Sequence, residues 1–306
     1  MFALVESSLN KTFLGVTDLC FIETTKNNRT MKRTFALILL LLPLWLGAQE
    51  KAVYRITYDC DALRDNKARK TYRWNLDIGE ATAVFYNPAA RQYLQESDEL
   101  RHSTEDVMAG IAGLQQLWGK YPNRSSLQVL TGKPKSGKYT YMNAIGADDL
   151  KYEEPLPQPD WTLTDSVKTV CGYTCHQAKA GLYGRTWTVW YCPELPLSYG
   201  PYVLGGLPGL ILEAVDADGF FHFTAVGIGQ APENVKVELG PSENEPVKCT
   251  RKKDLAMRRL RAEQTYSEKV KDLMAGSGAE VVKITDDSGN EITDQKAPRK
   301  NYLDQE

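Results

Sequence analysis

Residues 171–213 read CGYTCHQAKAGLYGRTWTVWYCPELPLSYGPYVLGGLPGLILE. Two runs, 171–180 and 185–192, flank Gly181-Leu182-Tyr183-Gly184. Two strand-like runs on either side of a glycine-rich gap predict an antiparallel hairpin. Centred between Leu182 and Tyr183, the hairpin sets Cys175 opposite Trp190 and Tyr173 opposite Cys192. Strand side chains alternate between faces, so Cys171, Tyr173, Cys175, Trp190 and Cys192 are expected on one face. Cys192 then lies diagonal to Cys171 and Cys175, with backbones roughly 7–8 Å apart. That is somewhat beyond the about 5.5–6 Å of an ideal disulfide, a gap that twist or a bulge can close. A slip of one residue moves Cys192 to the other face.

The same stretch ends in Gly206-Leu207-Pro208-Gly209-Leu210-Ile211. Pro208-Gly209 suits the centre of a type II turn, with Gly209 accepting positive φ. Residues 210–215 then continue as a strand. No Lys-Ser/Thr follows and no helix opens there, which argues against a phosphate cradle. Glu213 closes the apolar run and is either a buried carboxylate with a raised pKa or a solvent-facing strand residue.

Outward from this centre the chain is rich in strands. Residues 52–59 alternate as a half-buried strand, and 71–78 with 81–86 predict a hairpin around Gly79-Glu80. Residues 127–130, 138–144, 161–170 and 220–228 are further strand candidates. EEPLPQPD at 153–160 is a stiff connector. Residues 89–100 tolerate a helix with weak periodicity. Residues 103–118 read as a helix capped by Ser103, with Val107, Ile111, Leu114 and Trp118 on one face. A second long helix is expected at 251–275, an edge strand at 280–285 and a polar tail at 286–306. The fold class is α+β and mainly β: a curved antiparallel sheet with two or more helices packed on one side. The apolar face of a curved sheet can enclose a cavity, as in periplasmic half-barrel lipid carriers, an analogy of architecture alone.

At the front, Lys32-Arg33, an apolar run over 35–46 and Leu46-Gly47-Ala48 have the anatomy of a secretory signal peptide. The run is shorter than the roughly 20 residues of a membrane-spanning helix. Residues 31–48 are therefore read as the leader, 1–30 as a mis-called upstream segment, and 49–285 as one domain including the helix at 251–275. An exported chain, periplasmic or associated with the outer membrane, follows as the expectation. The formal charge of −2 in 306 residues argues against nucleic acid as a partner. Removal of Cys20 with the leader leaves Cys60, Cys171, Cys175, Cys192 and Cys249.

In an oxidising compartment these five favour disulfides, with one thiol left over. The expected pairing joins Cys192 to Cys171 or Cys175, and the other of that pair to Cys60 or Cys249. Three thiolates on one face can instead hold a soft ion such as Cu or Zn; otherwise no cofactor is expected. Cys-x3-Cys is not the thioredoxin spacing. His176 reads as a partly exposed strand residue and His222 as a hydrogen-bonded core residue, although a Cys–His nucleophilic pair is formally available.

Three runs in order, YTCHQAKA at 173–180, WYCPELP at 190–196, and Gly200-Pro201 leading into GLPGLI and Glu213, resemble the GLPGLI family of exported Bacteroidota proteins. His176-Gln177 adds a residue to the first run, and Cys192 occupies a position not generally cysteine. The resemblance implies an envelope protein of uncharacterised activity, its partner an outer-membrane or periplasmic protein. The expected function is a non-enzymatic binding or interaction module held by disulfides. A metal-binding protein using the cysteine cluster, or a thiol-dependent enzyme, are the alternatives.

Overall fold

The structure is a computed structural model describing residues 50–63, 69–104, 106–273, 283–285, 289–296 and 303. The segments read as a leader and as an upstream extension, 31–48 and 1–30, lie outside the described residues, as does most of the tail. Twelve strands form one sheet: β1 (Tyr54–Leu63), β2 (Arg69–Ile78), β3 (Ala83–Tyr86), β4 (Gln128–Thr131), β5 (Lys138–Ile145), β6 (Asp148–Pro155), β7 (Thr162–Val170), β8 (Tyr173–Leu182), β9 (Arg185–Cys192), β10 (Leu210–Asp216), β11 (Phe221–Gln230) and β12 (Val247–Lys248). Their order is β12-β6-β5-β4-β3-β2-β1-β11-β10-β9-β8-β7. Every pairing is antiparallel except β12 with β6. The mainly-β α+β class expected from the alternation is therefore what forms, as an open sheet with two edges.

Alternation sorts the strands into two faces. Ile56, Tyr58 and Cys60 of β1, Trp74 and Leu76 of β2, Phe85 of β3 and Phe223 of β11 share the larger core. Val84, Tyr86, Leu130 and Val237 form a small cluster on the other face. The hairpin at 71–86 forms around Gly79 and Glu80 as its pattern dictates, with Ile78 opposite Ala83. Tyr139 of β5 and Tyr183 of the β8–β9 turn place their hydroxyls 3.0 Å apart although their strands stand far apart in the sheet order.

Four helices complete the described residues: α1 (Pro88–Ser103), α2 (Val107–Lys120), α3 (Arg251–Glu263) and α4 (Tyr266–Leu273). Two expectations are corrected here. The helix read over 103–118 is α2, capped by the carboxylate of Asp106, which accepts from Met108 and Ala109. Ser103 instead ends α1, whose cap is Asn87 and whose first residue is a proline. The long C-terminal helix is two helices, broken at Gln264-Thr265, with Thr250 capping the first.

In α1, Arg91 stacks on Tyr86, on the small-cluster face. In α3, Arg258 donates to the hydroxyl of Tyr141, which belongs to the larger core. On α2, Ile111 is 46% and Trp118 54% exposed, while the Trp118 indole donates to the Tyr93 hydroxyl of α1 at 2.9 Å. Among the described residues no helix is long and apolar enough to cross a membrane.

Candidate functional site

The β8–β9 hairpin turns on Tyr183-Gly184, both at positive φ, with Leu182 opposite Arg185. That is the two-residue turn whose twist matches the strands, and it moves the register by two residues from the one expected. His176 pairs with Tyr191, so one step further Cys175 stands directly opposite Cys192 instead of diagonal to it. Both are fully buried. Cys171 does not join them. It sits at φ 51 in the turn between β7 and β8, beside Gly172, and is exposed. The three-cysteine face is thus reduced to two. Cys60 is buried on β1, and Cys249 is half-buried before α3, its N–H bonded to Lys151 of β6. All five cysteines are thiols in the structure. No three His, Cys, Asp or Glu side chains converge as a metal site among the described residues.

Around the pair stands a charged group that the spacing alone did not reveal. Lys168 of β7 pairs with Cys175 along the ladder and places its Nζ 2.6 Å from Glu213 Oε2. The other carboxylate oxygen of Glu213 is 3.0 Å from His222 Nε2, which also meets Thr224 at 3.2 Å. Lys168 lies 4.3 Å over the Trp190 ring. Glu213 is buried, and Lys168 and His222 meet its two carboxylate oxygens. His176 rests against the Tyr191 ring, so neither strand histidine is aimed at a thiol. Burial, then the neighbouring Cys192, push the Cys175 thiol up to about 11, which keeps it protonated and weakly nucleophilic at neutral pH.

The GLPGLI segment works by close approach. Positive φ belongs to Gly206, at 82°, and not to Gly209, so the type II turn on Pro208-Gly209 does not form. A Cβ on Gly209 would lie 2.2 Å from the carbonyl oxygen of Cys192. Gly209 is glycine because β10 must start against the backbone of β9's last residue. Trp161 donates to the Gly205 carbonyl at 2.8 Å, and Tyr58 donates to Ile211 O at 2.7 Å. Leu204 and Leu207 are buried in the larger core. The motif residues Gly206, Leu207, Pro208 and Gly209 therefore build a packed junction.

An opening in the fold lies elsewhere. At the end of the sheet where β1 leaves, β2 enters and β11 begins, a cleft of about 500 Å³ is bordered by Ala62, Tyr72, Trp74, Leu127, Phe221 and Phe223. Lys70, Arg91, Arg124 and Arg258 border it as cations, against Asp149 and Glu243. Trp74 stacks on Phe85 with ring centroids 4.8 Å apart. Its indole N–H is buried and has no acceptor among the described residues. Buried donors are normally answered, so this one marks the cleft. Pattern reading placed Trp74 and Tyr72 in a strand but had no signal for the opening, which is made by elements distant in sequence.

Residues 132–250 match the family described as the N-glycanase peptide, N-terminal domain. Two crystal forms of PNGF-II are similar in structure: 14% identity and TM-scores of 0.44 and 0.43, over 67% of this chain. The chain spans 32% and 33% of those two molecules. MucB in complex with MucA(peri) matches at 9% identity and a TM-score of 0.27, over 63% of this chain and 52% of that one. A LolA superfamily protein from Nitrosomonas europaea matches at 9% identity and a TM-score of 0.25, covering 61% and 91%. None of the curated proteins compared matches the chain.

Proposed function

We propose that this is an exported envelope protein of the GLPGLI type that works by binding, without chemistry of its own, and that the cleft at the strand ends is where it binds. The buried Trp74 indole N–H beside a 500 Å³ opening carries this reading. Apolar walls with a few polar groups are the usual make-up of a ligand site. Seven inter-strand steps of about 4.8 Å would hold Tyr139 and Tyr183 some 34 Å apart in a flat sheet. Their contact supports a sheet that curves around its larger core and opens at that end. The match to the N-terminal domain of an N-glycanase suits a module that accompanies other parts in larger proteins.

The anionic aromatic dye 1-anilinonaphthalene-8-sulfonate tests the cleft. Saturable, blue-shifted fluorescence at one dye per chain is expected, lost when Ala62→Trp fills the opening. Dye uptake that never saturates, or that Ala62→Trp leaves unchanged, overturns the reading.

Export and a Cys175–Cys192 disulfide belong to the same proposal, since directly opposed strand cysteines are close enough to bridge. The intact mass of protein taken from the envelope reports both, with a start at Gln49 or Glu50 and two hydrogens missing. A retained residue 1–30 mass, or five titratable thiols without reductant, refutes the respective part. The soft-metal alternative narrows to two buried thiolates, Cys175 and Cys192. It requires copper or zinc to be retained by protein purified without chelator.

A further inference from the structure

The cations of α3 divide into two sets. Those turned inward each have a partner: Arg258 pairs with Asp254 at 2.5 Å, Arg261 pairs with Asp272 at 3.1 Å, and Arg251 lies 4.1 Å over the Tyr183 ring. The opposite arc of the helix carries Lys252, Lys253, Ala256 and Arg259, all exposed, and Leu260, which is 71% exposed. Lys252 and Lys253 make no ion pair and no side-chain hydrogen bond among the described residues. The one acid of this arc, Glu263, is tied to Lys296.

Folding does not account for such a face. Cations in the first turn oppose the helix dipole, and a leucine turned to water forgoes its burial. Just before the cap, Lys248 of β12 pairs in the ladder with Lys151 of β6, setting like charge beside like. The whole chain carries a formal charge of −2, so attraction for anions belongs to this face and not to the molecule at large. We propose that the outward face of α3 docks the protein on an anionic phospholipid surface. Leu260 enters the boundary between headgroups and acyl chains, while Lys252, Lys253 and Arg259 lay their stems along it and keep their charges among the phosphates. Two features favour lipid over an acidic protein. The two first-turn cations are lysines, whose compact mobile ammonium groups suit shifting headgroups better than the fixed fork of a bidentate contact. The apolar group between them and Arg259 is a single projecting side chain, which a fluid boundary accepts without a matching pocket.

This face shares none of its residues with the cleft, so the two readings stand or fall separately. The test is sedimentation of the purified protein with vesicles of phosphatidylcholine alone and of phosphatidylcholine with phosphatidylglycerol. Binding is expected only to the second, and it should vanish in about 0.5 M salt, where charges are screened within a few ångströms. A cation at an anionic surface contributes roughly fivefold to binding, so Lys252→Glu with Lys253→Glu should weaken binding by at least about tenfold. Their thermal midpoint should not fall, since carboxylates suit the first turn. Leu260→Ser should weaken binding while leaving its salt dependence in place. Lys179→Glu with Lys236→Glu, an equal change of charge at exposed positions elsewhere, should bind like the unmodified chain. No binding to the phosphatidylglycerol vesicles, or an equal loss from both charge-reversed pairs, overturns the proposal. Binding to polyglutamate but not to vesicles, lost in Lys252→Glu with Lys253→Glu, also overturns it and gives the face to an acidic protein.

Discussion

Single residues in this chain are chosen by what stands next to them. Gly209 and Gly181 look alike as glycines near strands, yet a Cβ on Gly209 would meet the Cys192 carbonyl, whereas one on Gly181 would meet nothing within 4 Å. Gly209→Ala is therefore expected to cost about 1–3 kcal/mol, the usual range for forced overpacking. Gly181→Ala should change stability by less than about 0.5 kcal/mol, as a substitution without a clash does. Urea unfolding of both variants checks the contrast, and equal midpoints would refute the close-approach account. The sequence made Gly209 prominent but suggested the wrong cause, because a turn and a tight backbone crossing use the same residue. The apolar run before Glu213 left it open whether its carboxylate is buried or faces solvent, and the structure buries it. Its partners Lys168 and His222 were not legible, since they arrive from β7 and β11 and only the sheet order brings them together.

Among the elements, strands were read well and their registers less well. Period-two alternation located β1, β2, β3 and β11 within a few residues: β1 and β11 alternate between the dry core and more open positions, whereas β3 is buried on both faces and was placed by its hairpin with β2. The β8–β9 hairpin was expected with the right face for Cys175 and Cys192, but its centre fell one residue early. Tyr183 takes the left-handed conformation that tyrosine seldom adopts, so the turn hid from composition. The helical region 88–120 was divided wrongly for a related reason. Asn87 closes β3 and also caps α1, accepting from Ala90 N while its amide donates to the carbonyls of Arg73 and Asn123. Asn87→Ala removes the cap and both bonds, and is expected to destabilise by at least about 1 kcal/mol. Asn87→Asp keeps the cap acceptor and should recover part of the loss in thermal unfolding. An unchanged midpoint for both variants would contradict the assigned role.

At the scale of the molecule, one carboxylate ties the beginning of the described chain to the sheet. Glu50 receives the N–H groups of Ala81 and Thr82 and the Thr82 hydroxyl at 2.6–3.2 Å, on the turn between β2 and β3. Partial burial works to raise its pKa, but these hydrogen bonds together outweigh burial and hold it below the ordinary value of 4.5. A carboxylate depressed on folding adds stability above its unfolded pKa, and that stability is lost as pH falls through its folded value. The unmodified chain should therefore lose stability below about pH 4.5, and Glu50→Gln should be less stable at pH 7 with a flatter acid limb. Denaturation midpoints from pH 7 to pH 3 test this, and parallel curves would sink it. The overall class was legible because a mainly-β chain announces itself locally. The cleft was not, because its borders come from segments far apart in the sequence and no periodicity reports where a sheet opens.

An open twelve-stranded sheet also has to live with its margins. One margin, β12, is two residues long and offers little to copy. The other, β7, is nine residues long with Leu163 and Val167 turned to solvent. Its ladder with β8 skips between those two residues, and Asp165 lies in the gap. A second chain laying a strand along β7 would have to reproduce the skip and bury the charge at every added layer. The misalignment thus acts as a stop on fibre growth, built from a defect in the longer edge strand rather than from any added cover.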